Sequence, residues 1–164
     1  MNYDFEPRFP QDLKKTRSNF AVITINRQNM SVEIFKNLLI VGFGSFLGGG
    51  ARYLISVAMG NLSKGFPWGT LMVNLAGCFL IGLVSGIFGR TSEEGSSLAL
   101  FCTIGFCGGF TTFSTFSKEA LSMLQTESYW SLASYVGISV IAGVALTAVG
   151  YALSRNRILA TLLF

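Results

Sequence analysis

Residues 105–116 read Gly105-Phe-Cys-Gly-Gly-Phe-Thr-Thr-Phe-Ser-Thr-Phe116, a glycine- and hydroxyl-rich run inside a segment that otherwise has the character of a membrane span. From Gly95 to Ser117 there are 23 residues without a formal charge, and about 20 mostly apolar residues suffice to cross a bilayer. The middle of such a span should be its most apolar part, yet here it carries Gly108, Gly109, Thr111, Thr112, Ser114 and Thr115. Backbone that leaves the helix at membrane depth is tolerated only where it is buried in protein or lines a wet cavity. The run therefore predicts a helix broken in mid-membrane beside a permeation or binding site, with Phe110, Phe113 and Phe116 next to it.

Working outward, the other charge-free intervals are Asn37–Ala51 (15 residues), Tyr53–Ser63 (11), Gly65–Gly89 (25) and Ser128–Ser154 (27). The first two join into one helix interrupted by Arg52, and the last two each qualify as spans. Helices are expected near 35–59, 66–89, 97–124 and 130–154. The fold class is an all-α membrane protein of four transmembrane helices, the third broken mid-membrane, with both ends on one side. Composition agrees: 51% of the 164 residues are apolar and 12% charged, against about 25% charged in soluble domains. The net charge of +4 belongs to lipid-facing loops and a basic tail, so no nucleic-acid partner is expected. Cys78, Cys102 and Cys107 all lie in apolar stretches, as small apolar filler without disulfide or metal spacing.

Residues 1–32 differ in kind. They hold Arg8, Lys14, Lys15, Arg17 and Arg27 with Pro7 and Pro10, and their longest apolar run, Phe20–Ile25, is too short for a signal-peptide core. Two readings stand: a disordered basic tail in the cytoplasm, or sequence upstream of a translation start at Met30. Residues 33–157 make the four-helix subunit and 158–164 a short C-terminal tail. From Met30 onward, one side of the membrane receives Lys36, Arg90, Arg155 and Arg157, and the other Arg52, Lys64 and Lys118. Four against three is almost no bias. Such a chain can insert in both orientations, which makes an antiparallel, dual-topology homodimer possible. The five basic residues of the tail change the balance to nine against three and favour the N-terminus inside.

Polar groups within the spans decide between functions. Thr70 and Asn74 are spaced i,i+4 and share a face; Asn74 is either interhelical glue or part of a pathway. Ser131, Tyr135, Ser139, Gly143 and Thr147 form one i,i+4 stripe on the fourth helix, a polar track or a packing seam. Glycine pairs four apart, Gly44/Gly48, Gly82/Gly86 and Gly105/Gly109, suit close helix contact, although the hydroxyl cluster after the third pair asks for more than packing. Arg52 either snorkels to the interface or lines a wet vestibule. Glu119, beside Lys118, pairs locally, reaches the interface or stands near a pore mouth. No carboxylate or histidine is expected at mid-span, where a proton-coupled exporter needs a titratable group. Nor is there a nucleophile–base pair, so catalytic residues are not expected.

Three motifs in order resemble the Fluc (CrcB) fluoride channels: Gly48-Gly-Gly-Ala-Arg-Tyr53, then Phe66-Pro-Trp-Gly-Thr-Leu-Met-Val-Asn74 with Gly77, then the run 105–116. The resemblance extends from Gly48 to about Leu153. It implies an antiparallel homodimer with two pores passing fluoride down its electrochemical gradient. Phe113 and Phe116 would form an aromatic box, Asn74 would donate hydrogen bonds to the ion with Thr70 beside it, Tyr135 and Ser139 would belong to the polar track, and Arg52 would line the vestibule. A structural sodium ion at the dimer centre would be bound by the backbone carbonyls of Gly108 and Thr111. The implied location is the bacterial inner (plasma) membrane, with membrane lipid as surroundings and no nucleotide or redox cofactor. Where related chains have a hydroxyl one turn past Ser139, this chain has Gly143. Two other readings remain: a small coupled transporter (fluoride/proton or cation exporter), and a non-conducting membrane scaffold. Selectivity for fluoride over chloride rests on the resemblance alone.

Overall fold

The computed structural model describes residues 11–60, 65–91 and 95–155, with side chains over 30–60, 65–89 and 95–155. Two compact units divide the chain, Met1–Leu38 and Leu39–Phe164. Among the described residues every regular element is helical. In chain order these are α1 (Gln11–Ala58), α2 (Trp68–Thr91), α3 (Ser97–Leu100), a π-helical segment (Phe101–Cys107), α4 (Gly108–Phe110), α5 (Phe113–Gln125) and α6 (Tyr129–Arg155). Four stretches are long and apolar enough to cross a membrane: Met30–Ala58, Trp68–Gly89, Ser97–Gln125 and Tyr129–Arg155. Their ends fall within a few residues of those expected from the charge-free intervals.

In the first unit the backbone is already helical from Gln11, inside the segment expected to be a disordered tail. The sequence permits this, because no proline or glycine occurs between Gln11 and Val41 and such breakers are what interrupt a helix most readily. The expectations for residues 1–10 and 158–164 lie outside the described residues.

The second unit is held together by close backbone approaches. A Cβ on Gly44 would lie 2.7 Å from the Phe101 carbonyl oxygen, and one on Gly48 would run into that of Phe106. On the facing side, a Cβ on Gly109 would lie 2.8 Å from Ser45 Cα. The Gly44/Gly48 and Gly105/Gly109 pairs are therefore two halves of one helix contact, tied also by Ser45 Oγ donating to the Gly105 carbonyl at 3.3 Å. Packing does explain the third glycine pair; the hydroxyl cluster after it has a separate role. α2 and α6 meet in the same way, with Gly82 under the Thr147 carbonyl and Gly150 under that of Phe79. Helices in lipid gain from such contacts because close backbones maximise van der Waals packing where no hydrophobic effect drives association.

The π-helical segment was not foreseen. It lies where Gly44 and Gly48 press on the third span, and wide turns of this kind concentrate at functional sites. The turn between α5 and α6 is a Schellman motif: Ser128 N–H donates to Met123 O at 2.9 Å and Glu127 N–H to Leu124 O at 3.2 Å. Glu127 holds the left-handed position with φ 55°, where glycine is usual.

Candidate functional site

The break in the third span consists of two residues. Thr111 (φ −78°, ψ 158°) and Thr112 (φ −147°, ψ 117°) are extended, and the helix restarts at Phe113. Extended backbone inside a span must find hydrogen-bond partners, and Asn74 of α2 supplies them. Thr112 N–H donates to Asn74 Oδ1 at 2.8 Å, and Asn74 Nδ2 donates to the Thr112 carbonyl at 3.1 Å. The Thr112 hydroxyl then caps α5 by accepting from Thr115 N–H at 3.2 Å. Asn74 thus pins the break through both ends of its amide, and one of its two Nδ2 hydrogens remains outside this pair. The side chain is glue by these bonds, and it also stands in the wall of a cavity.

That cavity, about 410 Å³, brings together Asn74, Thr112, Phe113, Phe116 and Ser139, with Cys78 alongside. Among the described residues no charged side chain lines it. Phe113 and Phe116 lie one turn apart on α5 with ring centroids 5.7 Å apart, and Phe113 is 80% exposed in the single chain. Ser139 Oγ is buried and has no hydrogen-bond partner among the described residues. The break also directs the N-terminal end of α5, the positive end of its dipole, toward mid-membrane.

Thr70 and Tyr135 meet in a second cluster around Glu119, which sequence reasoning placed only loosely. Thr70 Oγ1 donates to Glu119 Oε1 at 2.8 Å and Tyr135 Oη to Oε2 at 2.7 Å. Glu119 therefore binds across to α2 and α6, and among the described residues it has no ion pair with Lys118. It falls inside the span Ser97–Gln125, toward its C-terminal end and away from the middle. Tyr135 is wholly buried, at 0% exposure, and its ring centroid is 5.0 Å from that of Phe116. The signal was present in the spacing: Phe113, Phe116 and Glu119 recur at i,i+3 and so share a face. Two buried hydroxyls on neighbouring helices needed an acceptor.

Arg52 is not brought into either group. It is half-buried in the last two turns of α1, its guanidinium 3.9 Å from the position of a Cβ on Gly49. Thr112, which the sequence shows only as one of several hydroxyl residues at the break, is the residue around which the break is organised.

Gly108 and Thr111, whose carbonyls the resemblance assigns to sodium, suit that role by their hydrogen bonding. In an unbroken helix Gly108 O would accept from Thr112 N–H, which is instead given to Asn74. Thr111 O would accept from Thr115 N–H, which is instead capped by the Thr112 hydroxyl. Both carbonyls thus lose their ladder donors, and hard cations take oxygen ligands of this kind.

A family model described as "CrcB-like protein, Camphor Resistance (CrcB)" matches residues 39–151. The chain belongs to the CrcB family. Its relatives include a protein named Fluoride-specific ion channel FluC from Prosthecochloris aestuarii (strain DSM 271 / SK 413), 42% identical over 123 residues that make up 75% of this chain and 96% of that one. A protein of the same name from Leptospira interrogans serogroup Icterohaemorrhagiae serovar copenhageni (strain Fiocruz L1-130) is 41% identical over 74% of this chain and 96% of its own. Another, from Bordetella petrii (strain ATCC BAA-461 / DSM 12804 / CCUG 43448), is 42% identical over 71% and 89%. The family match begins at residue 39 and leaves residues 1–38 outside it. With four apolar spans and this kinship, the CrcB-family chain is a multi-pass membrane protein.

Proposed function

We propose that this chain is the subunit of a fluoride-selective channel that lets cytoplasmic fluoride leave passively across a bacterial plasma membrane, without enzymatic chemistry. One observation carries the reading: Asn74, Ser139, Phe113 and Phe116 converge on an uncharged cavity beside a break in the third span. An anion entering such a space must replace lost hydration. The spare Nδ2 hydrogen of Asn74 and the unpartnered Ser139 hydroxyl are neutral donors, and aromatic rings present positive edges. The absence of a fixed positive charge in the lining leaves binding weak enough for release. The naming of the relatives as fluoride-specific channels supplies the choice of ion.

The working unit in this proposal is an antiparallel homodimer. Phe113 is 80% exposed in the single chain, and a second copy would complete the wall of the cavity around it. Two breaks meeting at a two-fold axis would offer the carbonyls of Gly108 and Thr111 twice over to one sodium ion. That ion, when bound, neutralises carbonyl dipoles at the dimer centre and joins the subunits; it takes no part in the passage of fluoride. Nucleotide and redox cofactors have no role in this reading.

Glu119 favours a second reading, coupled transport, because a carboxylate inside a span is a means of trading protons for substrate. Fluoride efflux from proteoliposomes of the purified full-length chain separates the two. A channel gives rapid efflux that needs valinomycin for charge balance and leaves chloride inside. Efflux that proceeds without valinomycin and follows the proton gradient identifies exchange. Folded protein with neither flux leaves the scaffold reading.

A further inference from the structure

We infer that the anion route continues beyond the aromatic pair into a second cavity between α2 and α6, and that the Cys78 thiol, together with the Ser139 hydroxyl, carries the ion across the junction. This rests on the channel reading above. The second cavity, about 550 Å³, shares Cys78, Ser139 and Val140 with the first. Those three residues therefore stand at the boundary between the two cavities, and the two polar ones belong to facing helices.

Three observations assign the role. Ser139 Oγ is buried and unpartnered while lining both cavities, an arrangement that costs stability unless a transient occupant uses it. One turn further along α6, the hydroxyl stripe is interrupted at Gly143, where a Cβ would lie 3.3 Å from Cys78 Sγ. The sulfur thus occupies the space that a side chain at 143 would reach. Thr147, the next hydroxyl, is already committed, donating to the carbonyls of Cys78 and Gly143 at 3.0 Å each. Beside Gly143 the thiol is then the donor that stands where the stripe lacks one. Cys78 also follows Thr70 and Asn74 at i,i+4 on α2 and so extends their face. A thiol is a weak donor, suited to passing an ion along rather than holding it.

The test is valinomycin-dependent fluoride efflux from proteoliposomes of the full chain, comparing wild type, Cys78→Ala, and Cys78→Ala with Gly143→Ser. Removing the thiol is expected to slow efflux about tenfold, the rate equivalent of one hydrogen bond lost at a barrier. Adding a hydroxyl at 143, into the space vacated by the sulfur, is expected to restore most of that rate. Wild-type efflux with an unchanged Cys78→Ala rate overturns the inference and leaves the channel reading intact. A slow single variant that the serine fails to rescue overturns the donor role of Cys78. Absence of wild-type efflux overturns the channel reading and this inference with it. Should Cys78→Ala yield no folded protein, wild type and Cys78→Ser are treated with methyl methanethiosulfonate. Slowing confined to wild type supports the inference, and equal responses of the two overturn it.

Discussion

At the scale of single residues, Asn74 is the side chain whose chemistry reaches furthest, because it satisfies both backbone groups of Thr112 and also faces the cavity. Asn74→Ala leaves a buried N–H and a carbonyl without their partner, each costing about 1–3 kcal/mol. The expected outcome is a lower melting temperature of the purified protein together with loss of fluoride efflux. A variant that melts lower but conducts normally would show that Asn74 only pins the break. Glu119 invites a different contrast. Both its oxygens accept from hydroxyls, whereas glutamine presents one oxygen and an NH₂ group. A hydroxyl oxygen can accept from that NH₂ group, so Glu119→Gln is expected to keep both contacts as weaker neutral hydrogen bonds, losing about 1 kcal/mol, and Glu119→Ala to lose both; thermal unfolding of the two variants side by side checks the order. The sequence put Thr70 and Tyr135 on interior faces, but it did not show that one carboxylate joins them, since Glu119 meets them only when three spans pack.

At the scale of elements, glycine positions separate contact from open space. Gly48→Ala drives a methyl group into the Phe106 carbonyl, whereas a Cβ on Gly42 meets nothing within 4 Å. Overpacking of this kind costs about 1–3 kcal/mol. Gly48→Ala is expected to lower the melting temperature and the yield of folded protein, and Gly42→Ala to leave both unchanged. The α5–α6 turn gives the opposite sign. Glu127 bears the cost of a left-handed conformation, about 1–2 kcal/mol for a residue with a side chain. Glu127→Gly is accordingly expected to raise stability by about 1 kcal/mol, read by the same unfolding measurement. The i,i+4 glycine spacing was legible as a contact pattern; its pairing of Gly44/Gly48 with Gly105/Gly109 was not, because spacing says how a helix face is built and not which face it meets. The π-helical segment carries no spacing signal of its own and coincides with that contact.

At the scale of the whole molecule, the near-equal loop charges from Met30 onward motivate the proposed antiparallel pair. Reporters fused to the C-terminus are expected to find both orientations for a chain begun at Met30, and a single orientation would overturn dual insertion. Exchanging sodium for N-methylglucamine is expected to lower dimer stability, by about 2.7 kcal/mol where sodium had stood at a hundred times its dissociation constant; no change in the melting temperature would remove sodium from the proposal. The number and approximate limits of the spans were determined by sequence alone, because the bilayer asks only for enough uncharged residues in a row. The existence of a break was equally legible, since polar and glycine residues at mid-span are costly without a purpose. What became of that break was decided by tertiary structure. Thr112 finds Asn74 across 38 positions of chain, Glu119 gathers hydroxyls from two other helices, and Cys78 fills the space beside Gly143. Periodicity assigns a residue to a face of its own helix, and only the packing of helices determines which donor stands opposite which acceptor.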